Sequence, residues 1–333
     1  MSTSADIETG AQESRLAHYP ITFFATVMGM FGLTLALHAG ETALPIPAQY
    51  HYSHYVMYAS AGLLGIVALG YLLKVMFHFK MAAWEWHHPV RLAFFPTISI
   101  SMILMSIALL GDGYRDIAEP LWIAGTTLQG ILSLLVISDW IGHRHFKPGH
   151  LSAAWFIPPV GNILVPIAGV QLGYMDISWL FFSGGILFWV VMLALVMNRL
   201  TFHDPLPSRL QPTLVILIAP PAVGFISWVR MHGAAVELDD MARVLINAAY
   251  VFALIVATQL PKILRLPFAL SFWALSFPLA ALTIATFLYS MKTGSQFHQY
   301  LGGGLLGLLV VVIAFLLVRT AIAIGRREIC QPE

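Results

Sequence analysis

Fixed charge is what this sequence has least of. Asp, Glu, Lys and Arg make up 10% of its 333 residues and hydrophobic types 59%, with a mean hydropathy of +0.80. A soluble domain carries about a quarter charged residues, so that class is excluded. No Asp, Glu, Lys or Arg lies deep in any long apolar stretch; Lys74, Asp139, Arg243 and Arg319 stand near stretch ends, where snorkelling or headgroup contact accounts for them. Proton-coupled pumps and cation carriers usually hold an ionisable side chain near the membrane midplane. Cation filters use carboxylate rings or sets of carbonyls. Neither feature is evident here. Histidine avoids the centres as well, with His38, His54 and His298 near one boundary. No metal-ligand pair or nucleophile with a base falls within the stretches, which leaves an intramembrane enzyme without support. The single cysteine, Cys330, excludes an intrachain disulfide. Residues 1–19 lack the apolar core of a signal peptide.

What is present is a run of ten apolar stretches, each close to the roughly 20 residues that cross a bilayer. They cover 20–38, 56–76, 92–110, 121–137, 154–172, 177–197, 212–229, 244–260, 267–289 and 301–324. The expected organisation is a polar tail over 1–19, a ten-helix domain over 20–325 and a second tail over 326–333. Prolines fall inside alternate stretches: Pro96 in the third, Pro158, Pro159 and Pro166 in the fifth, Pro220 and Pro221 in the seventh, Pro278 in the ninth. The first carries Gly29 and Gly32 instead, and the even stretches contain no internal proline. Proline removes a helix hydrogen bond, and freed backbone groups are tolerated in a membrane only against protein or a water-filled cavity. The alternation therefore predicts broken odd helices around a cavity and continuous even helices facing lipid. With both termini cytoplasmic, 13 of the 17 Lys and Arg residues fall on the cytoplasmic side, as the positive-inside rule requires. All five odd helices then run in parallel, and the chain reads as five helical hairpins.

Missing charge and broken helices together point to anions. A helix that restarts presents free N–H groups and partial positive charge, an arrangement that serves substrate sites in transporters. Hydroxyls and an amide on odd helices are the candidate pore lining: Thr26, Thr97, Ser99, Ser101, Asn162, Thr213, Ser227, Ser276 and Thr283. Each could equally bond its own backbone. Pro166, Pro220 and Pro278 join them, and Arg91 and Arg209, at the starts of odd helices, are candidates for a cytoplasmic vestibule. The basic loop with His143, Arg144, His145, Lys147 and His150 lacks Cys or nearby carboxylates and is read as solvated rather than zinc-binding. No metal, cofactor or nucleic-acid partner is expected.

Four segments carry a family resemblance. His88-Pro89-Val90-Arg91 with Phe94-Phe95-Pro96 opens the third stretch; Trp155-Phe156-Ile157-Pro158-Pro159-Val160-Gly161-Asn162 occupies the fifth. Leu217-Ile218-Ala219-Pro220-Pro221 lies in the seventh and Ser271-Phe272-Trp273-Ala274-Leu275-Ser276-Phe277 in the ninth. In these the chain resembles the TehA family of bacterial tellurite-resistance proteins and plant guard-cell slow anion channels. That family also includes dicarboxylate carriers and sulfite efflux pumps. The resemblance implies an all-α fold of ten helices, five around a pore, in a homotrimer with one pore per protomer. It also implies that Phe277 blocks the pore at mid-depth and that Phe24 lies near an aromatic of relatives at the constriction. Pro278 follows Phe277 where several relatives have glycine.

The resulting expectation is a gated, passive channel for small inorganic anions such as chloride and nitrate, embedded in the lipid of a prokaryotic inner membrane. The alternative is a secondary carrier for dicarboxylate, sulfite or tellurium oxyanions.

Overall fold

The computed structural model describes residues 14–45, 51–142, 146–233 and 237–331. His143, Arg144 and His145 of the basic loop, and residues 1–13 and 332–333 of the tails, lie outside the described residues. Ten helices are long and apolar enough to cross a membrane. They are α1 (Ile21–Ala43), α2 (Tyr52–Phe77), α3 (Leu92–Gly111), α4 (Arg115–Gly142), α5 (Ala153–Leu172), α6 (Met175–Phe202), α7 (Gln211–His232), α8 (Asp240–Ile263), α9 (Leu270–Thr293) and α10 (Gln296–Gly325). A short helix, Phe79–His87, joins α2 to α3. There is no strand among the described residues.

Burial separates the helices into two sets. The odd ones have 61 to 89% of their apolar window inside the protein, the even ones 22 to 39%. Contacts run from α1 to α3, α3 to α5, α5 to α7, α7 to α9 and from α9 back to α1, closing a cycle; each even helix packs against the odd helix before it. Lipid is as apolar as leucine, so the exposed Leu, Ile and Val of the even helices need no cover beyond it. We call proximal the end where the odd helices start and distal the end where they finish.

The odd helices differ from the expectation in how they hold their prolines. Each begins as tight 3-10 helix and then widens into α-helix. The N–H at each junction still reaches a carbonyl three residues back: Phe24 to Ile21, Phe95 to Leu92, Val165 to Asn162, Ala219 to Ile216 and Ser276 to Trp273. Pro166, Pro220 and Pro221 stand in the first turn of the α portion, where an N–H has no intrahelical partner to lose. The inner helices are therefore rewound rather than broken, and free backbone donors are fewer than the prolines suggested. A second correction concerns the even helices. Two of them extend beyond their apolar stretches and take in Pro120 near the start of α4 and Pro261 near the end of α8.

Glycine in α1 does what proline does elsewhere, by a different route. A Cβ on Gly32 would lie 2.9 Å from that of Ala280, and one on Gly29 would overlap Ser276. Bare backbone at these two positions lets α1 approach α9 closely, next to Phe277.

One polar network fastens the membrane interior. Gln129 of α4 is fully buried. Its Oε1 accepts from Ser99 at 2.7 Å, and its Nε2 donates to the Pro158 carbonyl at 2.8 Å and to Asn162 Oδ1 at 3.2 Å. Ser133 adds a hydroxyl bond to the same carbonyl at 2.7 Å. Unpaired buried amides cost about 1–3 kcal/mol, so Gln129→Leu is expected to lower stability by about that much. Thermal unfolding in detergent measures it, and an unchanged midpoint would mean that the network contributes nothing.

Candidate functional site

Two cavities lie along the cycle of odd helices. The proximal one encloses about 680 Å³ and is lined by all five, with Thr22, Thr97, Ile157, Ile216 and Phe277 as one contributor from each. The distal one encloses about 250 Å³ and again draws on all five, through His38, Leu104, Gln171, Arg230 and Phe277. Three residues line both: Leu164 of α5, Val223 of α7 and Phe277 of α9. The cavities are thus divided by apolar side chains from three helices. Phe277 is half-buried, whereas Leu164 and Val223 are buried.

The expected pore residues divide accordingly. Thr97, Pro278, Arg91 and Arg209 line the proximal cavity. Phe24, Thr26, Ser99, Asn162, Pro166, Pro220 and Ser276 line neither. Phe24 is buried with its ring edge-on to Tyr71, 6.1 Å between centroids. Thr26 donates to the Phe23 carbonyl and Ser276 to that of Trp273. Ser99 and Asn162 belong to the Gln129 network. Ser101, Thr213 and Thr283 bond their own helices, and Ser227 donates across to the Ile163 carbonyl. In hydrocarbon a short hydroxyl is most readily satisfied by the backbone beside it, and these side chains are spent that way.

At the proximal mouth the structure corrects the reading of Lys74. It does not snorkel: it is 1% exposed and donates to Glu85 Oε2 at 2.7 Å. Glu85 is itself fully buried and accepts from Arg91 at 2.7 Å, from Tyr71 at 3.2 Å and from the Ile21 N–H at 3.4 Å. Lys74 also donates to the Tyr19 carbonyl at 2.9 Å. Among the described residues two cations thus meet on one carboxylate, and Arg91, 17% exposed, lines the cavity. Arg91 also lies over the Trp84 ring at 4.9 Å. Glu85 escapes a reading of the sequence because it sits outside every apolar stretch, in the short helix that joins α2 to α3.

The chain's last described residues return to this mouth. Arg327 and Cys330 have positive φ, which folds the segment after α10 back so that Glu328, Ile329, Cys330 and Gln331 line the proximal cavity. Arg15 donates to the Ile329 carbonyl at 3.5 Å. Residues 328–331 therefore form part of the cavity wall. Burial pushes the Cys330 thiol above its ordinary value, more strongly than the charges of Arg15 and Lys74 lower it. It stays protonated at neutral pH and adds no negative charge there.

Similarity to known proteins decides the family. The family described as voltage-dependent anion channel matches residues 18–321. The chain belongs to that family. It is 26% identical over 328 residues to an uncharacterised transporter of Methanocaldococcus jannaschii, covering 92% of this chain and 95% of that protein. It is 26% identical over 317 residues to the tellurite resistance protein TehA homolog of Haemophilus influenzae, covering 90% and 91%. Against the S-type anion channel SLAH3 of Arabidopsis thaliana it is 25% identical over 317 residues, 92% of this chain and 48% of the plant protein. The protein is thus a multi-span member of a family of anion channels and transporters.

Proposed function

We propose that this family member is a gated, passive channel for small monovalent anions, with residues 20–325 as the conducting unit and Phe277 as its gate. The observation that carries the reading is the division of one path into two cavities by Phe277, Leu164 and Val223. An apolar constriction stops ions by excluding the water they need, and a path closed by side chains opens when one of them turns aside. Cations lining both cavities support anions as cargo: Arg91 and Arg209 proximally, Arg230 distally. The chemistry is permeation without covalent change, so no catalytic group or cofactor has a part in it. In this reading the proximal end faces the cytoplasm of a prokaryotic inner membrane, which the positive-inside bias supports, and three protomers assemble, each with its own path, which the family resemblance supports.

Weak fixed charge in the path makes dehydration the main cost of entry, and nitrate sheds water more easily than chloride. The expected result is a nitrate permeability above that of chloride, read from bi-ionic reversal potentials. A clear preference for chloride would contradict it. Ohmic currents indifferent to a proton gradient support the channel; uphill uptake driven by that gradient would establish the carrier instead.

A further inference from the structure

We propose that the distal cavity holds a binding site for one monovalent planar oxyanion of the nitrate or bicarbonate type, with Arg230 as its fixed charge. The inference takes the channel reading as its frame and adds a ligand position beyond the gate. Arg230 occupies the last turn of α7 and lines the cavity. It makes no ion pair and no hydrogen bond among the described residues. The carboxylates nearby are already engaged. Asp112, also on the cavity wall, holds His54 Nδ1 at 2.6 Å. Glu41 accepts the Ser53 N–H at 2.8 Å and its hydroxyl at 2.6 Å. The guanidinium is therefore left without an ion-pair partner among the described residues.

Two further donors line the same space from other helices. Gln171, at the end of α5, has no side-chain hydrogen bond among the described residues; its backbone carbonyl is the acceptor for Arg115. His38 of α1 likewise has no ring hydrogen bond among the described residues. A guanidinium, an amide and an imidazole, carried by α7, α5 and α1, thus border one cavity without internal partners. The volume, about 250 Å³, equals roughly eight waters at about 30 Å³ each, enough for a small anion with part of its hydration shell.

The donor chemistry selects the ligand. A guanidinium presents a rigid planar fork that matches two oxygens of a planar oxyanion better than a spherical halide. One fixed positive charge, with the Asp112–His54 pair close by, favours a single negative charge over two. Such a site would concentrate the anion just beyond the apolar partition and give the path a saturable distal end.

Nitrate is the probe, and two readouts separate the site from the channel. The first is the nitrate-dependent rise in unfolding temperature of the purified full chain, which needs no conduction. The parent is expected to show it and Arg230→Gln to need about tenfold more nitrate for the same rise, the equivalent of about 1.4 kcal/mol. Arg230→Lys keeps the charge but not the fork and is expected to fall between them. Arg230 is exposed and has no hydrogen bond or ion pair among the described residues, so neither substitution removes one of these. The second is conductance of Phe277→Ala against nitrate concentration on the distal side, whose half-saturation is expected to rise about tenfold when Arg230→Gln is added, while proximal titration is unchanged. Parent-like nitrate dependence of Arg230→Gln in unfolding or distal titration overturns the site. An Arg230-dependent thermal shift without current in any variant leaves the site standing and overturns the channel reading.

Discussion

Phe277→Ala is expected to raise anion conductance by tenfold or more while leaving the fold intact. The side chain lines both cavities and is half-buried, so its loss joins two existing spaces rather than emptying a packed core. Each tenfold in rate corresponds to about 1.4 kcal/mol of barrier, and removing a dewetted constriction readily exceeds that. The ring has little room on the side nearest α1. A Cβ on Gly32 would be 3.5 Å from its Cδ2 and 2.9 Å from Ala280, so α1 already lies against it. On the gate reading, the ring therefore moves along the pore or toward Leu164 and Val223. Pro278, in the first α turn after the 3-10 segment, sacrifices no internal donor there, which fixes the backbone under Phe277 without straining it. Planar bilayer recordings with ion substitution, mutant beside parent, measure the effect. Equal currents would remove Phe277 from the gate and leave the partition to its neighbours. Leu164→Ala and Val223→Ala are expected to open the path less, since each takes away a smaller side chain.

The membrane architecture was legible in the sequence because it is written in residue types that do one thing. Long apolar stretches specify spanning helices, and proline in alternate ones distinguishes the set that sits inside. Even there the physical account changed: the prolines mark a switch from 3-10 to α winding, in which their missing N–H groups cost little, and not gaps that expose donors to an anion. The wall of the cavities was far less legible. Asn162 and Ser99 look like pore polarity in a list of letters, yet one buried glutamine on a neighbouring even helix claims both. Thr97 lines the proximal cavity and Thr26 does not, and the difference is a rotation about the helix axis that composition cannot encode. Leu164 and Val223 carry no signal at all, being ordinary apolar residues among many. Phe277 was singled out only by its resemblance to relatives. Arg230 is among the four Lys and Arg residues outside the cytoplasmic thirteen, and its lack of a partner among the described residues is a property of the packed molecule.

The second large effect concerns Glu85, and its sign follows from which charges would be left behind. Glu85→Gln removes the carboxylate that accepts from both Lys74 and Arg91. Arg91, 17% exposed, can turn toward the cavity and recover water. Lys74, 1% exposed, has no such route: the Tyr19 carbonyl and the new amide oxygen are neutral acceptors, and no counter-charge is left for it. An uncompensated buried charge costs about 3–5 kcal/mol, most of it here at the lysine. Thermal unfolding of the variant in detergent is therefore expected to show a clear loss against the parent, larger than that of Gln129→Leu. Adding Lys74→Met to Glu85→Gln should recover most of the loss, because a buried pair replaced as a whole by groups of similar volume is often near neutral. The order of effects tests the argument more sharply than either value. If the single variant melts with the parent, the lysine is hydrated in solution and the cluster is no clamp. If the double variant is as unstable as the single, the loss came from Arg91 or from packing rather than from Lys74. The expected pattern, loss and then recovery, would mean that the tie between α1, α2, the short helix and the start of α3 costs stability as charge and returns it as geometry. It holds Arg91 at the mouth of the proximal cavity.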